Sequence, residues 1–292
     1  MIPASFEYHA PKSLDEAVRL LERHGGEAKL LAGGHSLLPL MKLRLASPRF
    51  VIDLRKLRGM DYIREEDGKI AIGALTTHSE IAGSNLLRKK CALLPETAAH
   101  IGDVQVRNRG TIGGSLAHAD PAADYPAAIL ALDAEIVAAN GAGNRTIPAR
   151  EFFVDMLTTA LRPGEILVQI RVPRLNSRIG TAYCKLHQPA SGFAVVGVAA
   201  KIAIGSTGKM DSVAIGITGL APKAFRAAEV ENMLTGRKPG AKLFADASKE
   251  AARGIEALGD LHASAEYRSA MAVVFTRRAL EKAAARALGK AE

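Results

Sequence analysis

Two stretches of this chain strip side chains from the backbone and then supply a hydroxyl. LLAGGHSLLPLMKLRL (residues 30–45) holds Ala32, Gly33, Gly34, His35 and Ser36, and GTIGGSLAHADPAADYPA (110–127) holds Thr111, Ile112, Gly113, Gly114 and Ser115. A phosphate or diphosphate carries dense negative charge, and backbone N–H groups bind it well where no Cβ blocks their approach. A Ser or Thr adds a donor, and a helix starting there turns its N-terminal amides toward the anion. One diglycine reads as a tight turn before a helix. A matched pair points to a bound phosphate or diphosphate.

Other residues able to do chemistry carry weaker signals. GAGNRT (141–146) begins like a dinucleotide-binding G-x-G-x-x-G, but Thr146 stands at the third glycine position, Pro148 follows and no helix opens. It reads as a hairpin turn, and the chain is not of the Rossmann type. His35 and His118 have no carboxylate or second histidine at metal-ligand spacing on a helix. Ser36 and Ser115 lack a nucleophile-elbow context. Asp124 either caps a helix starting at Tyr125 or accepts from a ribose hydroxyl; on position alone the cap is the better reading. Lys185 interrupts an apolar strand, where a part-buried cation needs an anionic partner, either a carboxylate or a ligand.

Composition narrows the classes. A chain of 292 residues is long for one core and divides into two domains, three at most. Hydrophobic residues at 48% and charged ones at 24% suit a soluble globular protein. No apolar run reaches the roughly 18 residues of a membrane span. The opening MIPASFEYHAPKS has neither the basic start nor the apolar segment of a signal peptide, so a cytoplasmic protein is expected. The formal charge of +9 is scattered, with short clusters such as Arg88-Lys89-Lys90 and Arg277-Arg278. Trp is absent and aromatics are 4%, which argues against stacking platforms for nucleic-acid bases. The two cysteines, Cys91 and Cys184, belong to no CxxC, and an iron–sulfur cluster takes about four thiolates. If the protein takes part in redox chemistry, the metal sits elsewhere.

The elements that must position these residues follow from periodicity. Ser13 and Glu16 form an S-x-x-E capping box for a helix carrying Leu14, Ala17, Val18 and Leu21, which Gly25-Gly26 stops. AKLLA is a short buried strand entering the first diglycine, SLLPLMKLRL a short helix or turn, and RFVIDL a second strand, so residues 1 to 57 form a small α/β lobe. YIREEDGKIAIGALT (62–76) is a hairpin turning at Asp67-Gly68. A helical stretch over 77–101, a helix over 125–132 and the strands AEIVAAN and EILVQIRVP make up a second lobe, 58–176, which the last strand closes. From 177 on, three strand candidates (TAYCKLH, AVVGVAAKIAI, DSVAIGITGLA) precede helical runs at 224–235, 241–258 and 264–288. Strands followed by helices predict a separate α+β domain over 177–288 with a three-stranded antiparallel sheet.

AGGHSLLPLMKLRLASPRFVIDL together with TIGGSLAHADPAADYPAAILAL closely resembles the FAD-binding medium subunits of the molybdenum hydroxylases. That group includes aerobic carbon monoxide dehydrogenase and the bacterial xanthine, nicotine and quinoline oxidoreductases. The opening MIPASFEYHAPKSLDEAV and the closing AEYRSAMAVVFTRRAL resemble the carbon monoxide dehydrogenase type most, and the resemblance covers essentially the whole chain. It implies a two-lobed FAD-binding domain of the vanillyl-alcohol-oxidase type over 1–176, with the diphosphate between 32–36 and 111–115. It further implies that Asp124 holds the ribose or ribityl region, that Lys185 and Phe193 lie near the flavin, and that Leu161 and Leu167 line its apolar pocket. Lys29 and Ile101, with Asp103 and Gln105, would flank the same cleft, while Arg107 and Arg109 would be structural or interfacial.

The implied role is electron relay, with FAD on this chain, [2Fe-2S] clusters on a small partner subunit and the molybdenum cofactor on a large one, in a dimer of heterotrimers. No residue of the chain is expected to act as a catalytic acid or base. The alternatives are a free-standing flavin-dependent oxidoreductase with its own substrate, or the FAD subunit of a xanthine or N-heterocycle dehydrogenase. Two positions depart from the family pattern. Ser115 stands where many relatives have Asn, which shortens its reach, and Gly192-Phe193 stands where the well-known carbon monoxide enzymes have Asp-Tyr.

Overall fold

The computed structural model describes residues 1–290. The first helix runs Leu14–His24, and Ser13 accepts from the Glu16 amide as the spacing predicts. The Glu16 carboxylate closes the turn on the Lys12 amide, 2.8 Å away. Ala17 and Val18 are buried against a three-stranded parallel sheet in the order Glu7–His9, Phe50–Asp53, Ala28–Leu31. The polar three-residue strand Glu7–His9 has no periodicity to announce it.

In the second lobe Asp67 (φ 49°) and Gly68 (φ 74°) are both left-handed, as a two-residue hairpin turn requires. Ile166–Pro173, the last strand of this half, lies at the centre of a five-stranded antiparallel sheet. The hairpin Ile63–Glu66/Lys69–Gly73 flanks it on one side and Glu135–Asn140/Gly143–Pro148 on the other, with GAGNRT forming the second turn. The helical stretch expected over 77–101 is three short helices, His78–Gly83, Asn85–Lys90 and Leu93–Ala99. Thr77 and Ser84 each cap a fresh start, and Cys91 (φ −159°) leaves the helical region altogether.

The C-terminal half carries the three expected strands, Ile179–His187, Ala194–Ile204 and Met210–Thr218, all antiparallel. A two-residue fourth strand, Phe225–Arg226, is added at the edge. The helices are Ala228–Leu234, Ala241–Ser248 and Ala265–Ala287; the middle one ends well short of 258, where Gly254 (φ 70°) already marks irregular backbone. The sheet is covered on both faces. The long Ala265–Ala287 helix lies on one, and the Tyr125–Ala131 helix, every residue of it buried, lies on the other. A Cβ at Gly180 would fall on the Ala283 carbonyl and one at Gly216 on the Ala127 carbonyl, so both helices approach the strands backbone to backbone. Double burial explains why AVVGVAAKIAI is apolar throughout and does not alternate. Tyr183 and Ala199 join the core of the N-terminal half, while Ala182, Val198 and Ala200 join the core beneath the long helix.

Candidate functional site

The two glycine segments meet. A Cβ at Gly33 would collide with the Arg109 carbonyl and lie 2.6 Å from Gly110 Cα, and one at Gly114 would lie 3.7 Å from Ala32 Cβ. Gly34 has φ 81°, which swings the chain from the Ala28–Leu31 strand into the Leu37–Lys42 helix. Among the described residues, the amides of Gly33, Gly34, His35 and Ser36 donate to no protein acceptor, and the Ser36 hydroxyl caps nothing. His35 and Ser36 are exposed, while Ala32, Gly33 and Gly34 are half-buried. Consecutive unspent amides beside a free hydroxyl form a concave donor set for an oxyanion.

The second segment is built differently. The Ile112 amide donates to the Thr76 carbonyl, Gly113 to Ala74 and Gly114 to the Thr111 hydroxyl, which caps the Ile112–His118 helix. A Cβ at Gly113 would stand 2.5 Å from Ala74 Cβ, so that glycine serves close packing on the central sheet. The half-buried Ser115 hydroxyl is the unengaged donor on this side. The site is therefore asymmetric: free amides come from the first segment, while the second brings a tied-down helix start and a hydroxyl.

Asp124 and Lys185, 61 residues apart, form a buried ion pair. Lys185 Nζ lies 2.8 Å from Asp124 Oδ1 and 2.9 Å from Oδ2, and also donates to the His100 carbonyl at 2.9 Å. The Tyr183 hydroxyl donates to Asp124 Oδ1 at 2.5 Å. Burial pushes the Asp124 carboxyl upward, and the ammonium and phenol oppose that. Both oxygens accept charge-assisted hydrogen bonds, the geometry of an ionised carboxylate. The anion required by Lys185 is thus a carboxylate, and Asp124 makes no side-chain cap on Tyr125–Ala131.

The remaining candidates lie around this frame. Ile101 and Gly102 form a turn whose carbonyls accept from Arg107, which accounts for that arginine structurally. A Cβ at Gly192 would come within 3.4 Å of Gly102 Cα, so exposed Phe193 belongs to a loop lying against that turn. Leu167 is buried on the central strand and Leu161 packs partly against the same core. The Ile112–His118 helix lies on this strand and on Thr158–Thr159. Lys29 is exposed on its strand, and Asp103 caps the Val104–Arg107 helix. Tyr183 and Thr218 escaped sequence reasoning, although Tyr183 lies two residues before Lys185 and therefore on the same strand face.

Two open clefts lie elsewhere, and each carries charged groups engaged with neighbours. One, of about 510 Å³, carries Lys90 and Arg174, which both pair with Glu65; the other, of about 410 Å³, carries Glu80, held in a capping box with Thr77. Burial pushes the Cys91 thiol up to about 12, leaving it inert. No group of three or more metal-ligating side chains occurs among the described residues.

Such a pair of lobes, with a donor-rich glycine loop set against a glycine-started helix, defines a flavoprotein of the two-lobed FAD-binding class with an added α+β domain. The chain belongs to the medium, FAD-carrying subunits of the molybdenum hydroxylases. Residues 4–175 match the FAD binding domain in molybdopterin dehydrogenase, and residues 181–283 the CO dehydrogenase flavoprotein C-terminal domain. The chain is 43% identical to the carbon monoxide dehydrogenase medium chain of Hydrogenophaga pseudoflava, over 98% of this chain and 99% of that one. It is 38% identical to the 6-hydroxypseudooxynicotine dehydrogenase complex subunit alpha of Paenarthrobacter nicotinovorans, over 98% and 97%. Its fold superimposes with a TM-score of 0.95 on a carbon monoxide dehydrogenase chain from Hydrogenophaga pseudoflava (43% identity, 98% and 99% covered). It also superimposes with a TM-score of 0.92 on quinoline 2-oxidoreductase from Pseudomonas putida 86 (32% identity, 99% and 100% covered).

Proposed function

We propose that this chain holds FAD between its two glycine segments and relays electrons from the iron–sulfur clusters of a small partner subunit to an external acceptor. A large molybdenum-bearing subunit oxidises the substrate, in a dimer of heterotrimers of the carbon monoxide dehydrogenase type. The carrying observation is the run of unspent amides at Gly33–Ser36, set against the Gly110–Gly114 backbone. Bound FAD supplies an acceptor that takes electrons singly and passes them on. We place the FAD domain at 1–176 and the C-terminal domain at 177–288, near the limits of the two family matches.

The chain's own residues bind, orient and exclude water. The amides of Gly33 to Ser36, with the Ser36 and Ser115 hydroxyls, hold the diphosphate, and Ala32, Thr111, Ile112, Gly113 and Gly114 bring the opposing backbone close. Asp124 accepts from a sugar or ribityl hydroxyl, held in place by Lys185. Leu161, Leu167, Ile101 and Phe193 border the flavin ring, and Lys29 and His35 the outer edge. No protein acid or base is required. We place its work in the cytoplasm; no helix among the described residues is long and apolar enough to cross a membrane.

Purifying the chain with its native neighbours tests this. A yellow protein with flavin absorbance that copurifies with cluster-bearing and molybdenum-bearing subunits is expected. A colourless protein, or one that turns over a substrate without those subunits, would overturn the reading.

A further inference from the structure

The segment linking the second glycine helix to Tyr125–Ala131 is held from the C-terminal sheet. The Thr218 hydroxyl lies 2.8 Å from both the Pro121 and Ala123 carbonyls, the Gly219 amide donates to Pro121 at 2.8 Å, and the Ala194 amide donates to Ala122 at 3.2 Å. Asp124 ends that segment, and its carboxylate meets Tyr183 and Lys185 from the same sheet. Lys185 donates to Asp124 Oδ2 and to the His100 carbonyl, with Asp124 Oδ1 at ion-pair distance, 2.8 Å. Asp124 Oδ1 accepts a hydrogen bond from Tyr183 and Oδ2 one from Lys185, so each oxygen keeps one acceptor direction. The Tyr183 ring is 2% exposed, and a Cβ at Gly197 would fall on its hydroxyl, so the neighbouring strand leaves a notch for that oxygen.

We propose that Tyr183 is a positioning residue of the flavin site: holding Asp124 Oδ1 while Lys185 holds Oδ2, it fixes the carboxylate's orientation toward a ligand hydroxyl, so that the C-terminal sheet completes a site whose glycine segments lie in the other domain. This rests on the placement of FAD given above. The charged and titratable groups facing Asp124 are Tyr183 and Lys185 from the strand and Tyr125 from its own helix. His100 reaches Lys185 through its carbonyl and lies edge-on to Tyr183 at 5.7 Å, with Glu96, Lys282 and His187 behind it.

The test is FAD dissociation, read by flavin fluorescence from about pH 8 down to about pH 5 on the full chain with the subunits that copurify with it. Tyr183→Phe removes one oxygen and keeps the ring. It is expected to weaken FAD binding roughly tenfold at neutral pH and to move the acid limb of retention upward, because the carboxylate then protonates more easily. Asp124→Asn should abolish the limb, and adding Tyr183→Phe to it should cost nothing more. Multiplying losses in the double variant, or a Tyr183→Phe profile identical to wild type, would overturn the positioning role. Wild-type FAD retention in Asp124→Asn would instead overturn the placement of FAD beside Asp124. Should Tyr183→Phe fail to fold, site-specific 3-fluorotyrosine at 183, a stronger donor, must move the limb downward; an unmoved limb overturns the proposal.

Discussion

Lys185 Nζ sits 2.8 Å from Asp124 Oδ1, with the lysine side chain 1% exposed and the aspartate 5%. The pair joins the C-terminal sheet to the helix that covers it. Two charges taken from water together are costly, and removing one leaves the other uncompensated. Lys185→Met is therefore expected to cost about 3–5 kcal/mol, and Lys185→Met with Asp124→Asn distinctly less. Denaturant unfolding of both variants checks this, and equal losses would contradict it.

Gly33 and Gly26 are glycines of opposite kind. Gly33→Ala must push its methyl into the Arg109 carbonyl and Gly110, whereas nothing lies within 4 Å of a Cβ at Gly26. Gly33→Ala is expected to lose bound FAD and about 1–3 kcal/mol of stability, while Gly26→Ala changes neither. Flavin absorbance per chain and a thermal melt report the two effects.

Thr111 and Ser36 look alike beside their glycines and are separated by the structure. Thr111 caps its helix, so Thr111→Val should cost about 1 kcal/mol of stability. Ser36 caps nothing, so Ser36→Ala should leave the melt unchanged and weaken FAD binding roughly tenfold or more, the worth of a hydrogen bond to a charged group. Loss of stability in Ser36→Ala with unchanged FAD affinity would contradict the assignment.

His78 sets a pH dependence. Burial holds its imidazole down to about 4 from an ordinary 6.5, and its Nδ1 has no hydrogen-bond partner. The folded state thus disfavours the proton that the unfolded chain accepts. Stability from this group is full above 6.5 and is lost as pH falls toward 4, about 3 kcal/mol over that window. Tm against pH should flatten there in His78→Gln; an unchanged slope would place the acid sensitivity elsewhere.

Much of the local structure was legible because short-range chemistry dictates it. Ser13 before an apolar stripe, Asp67-Gly68 between alternating strands, and diglycines followed by helix starts each act within a few residues of themselves. The hairpins and the first helix could be read from such signals, whereas the meeting of the glycine segments was implied only by the family resemblance. The short strand Glu7–His9, the breaks at Ser84 and Cys91, and the early end at Ser248 could not. There a few residues take their conformation from distant neighbours, and local pattern is silent.

The amino-acid sequence by itself determined where the bare backbone lies, that the chain has no cysteine set for a cluster, and that Lys185 needs an anion. Only the tertiary structure decided which anion, because Asp124 is 61 residues away and reaches Lys185 through packing of the Tyr125–Ala131 helix on the C-terminal sheet. It also decided that the two glycine segments are unequal. Whether an amide is free depends on which carbonyl lies opposite, and the carbonyls of Ala74 and Thr76 stand opposite the second segment alone.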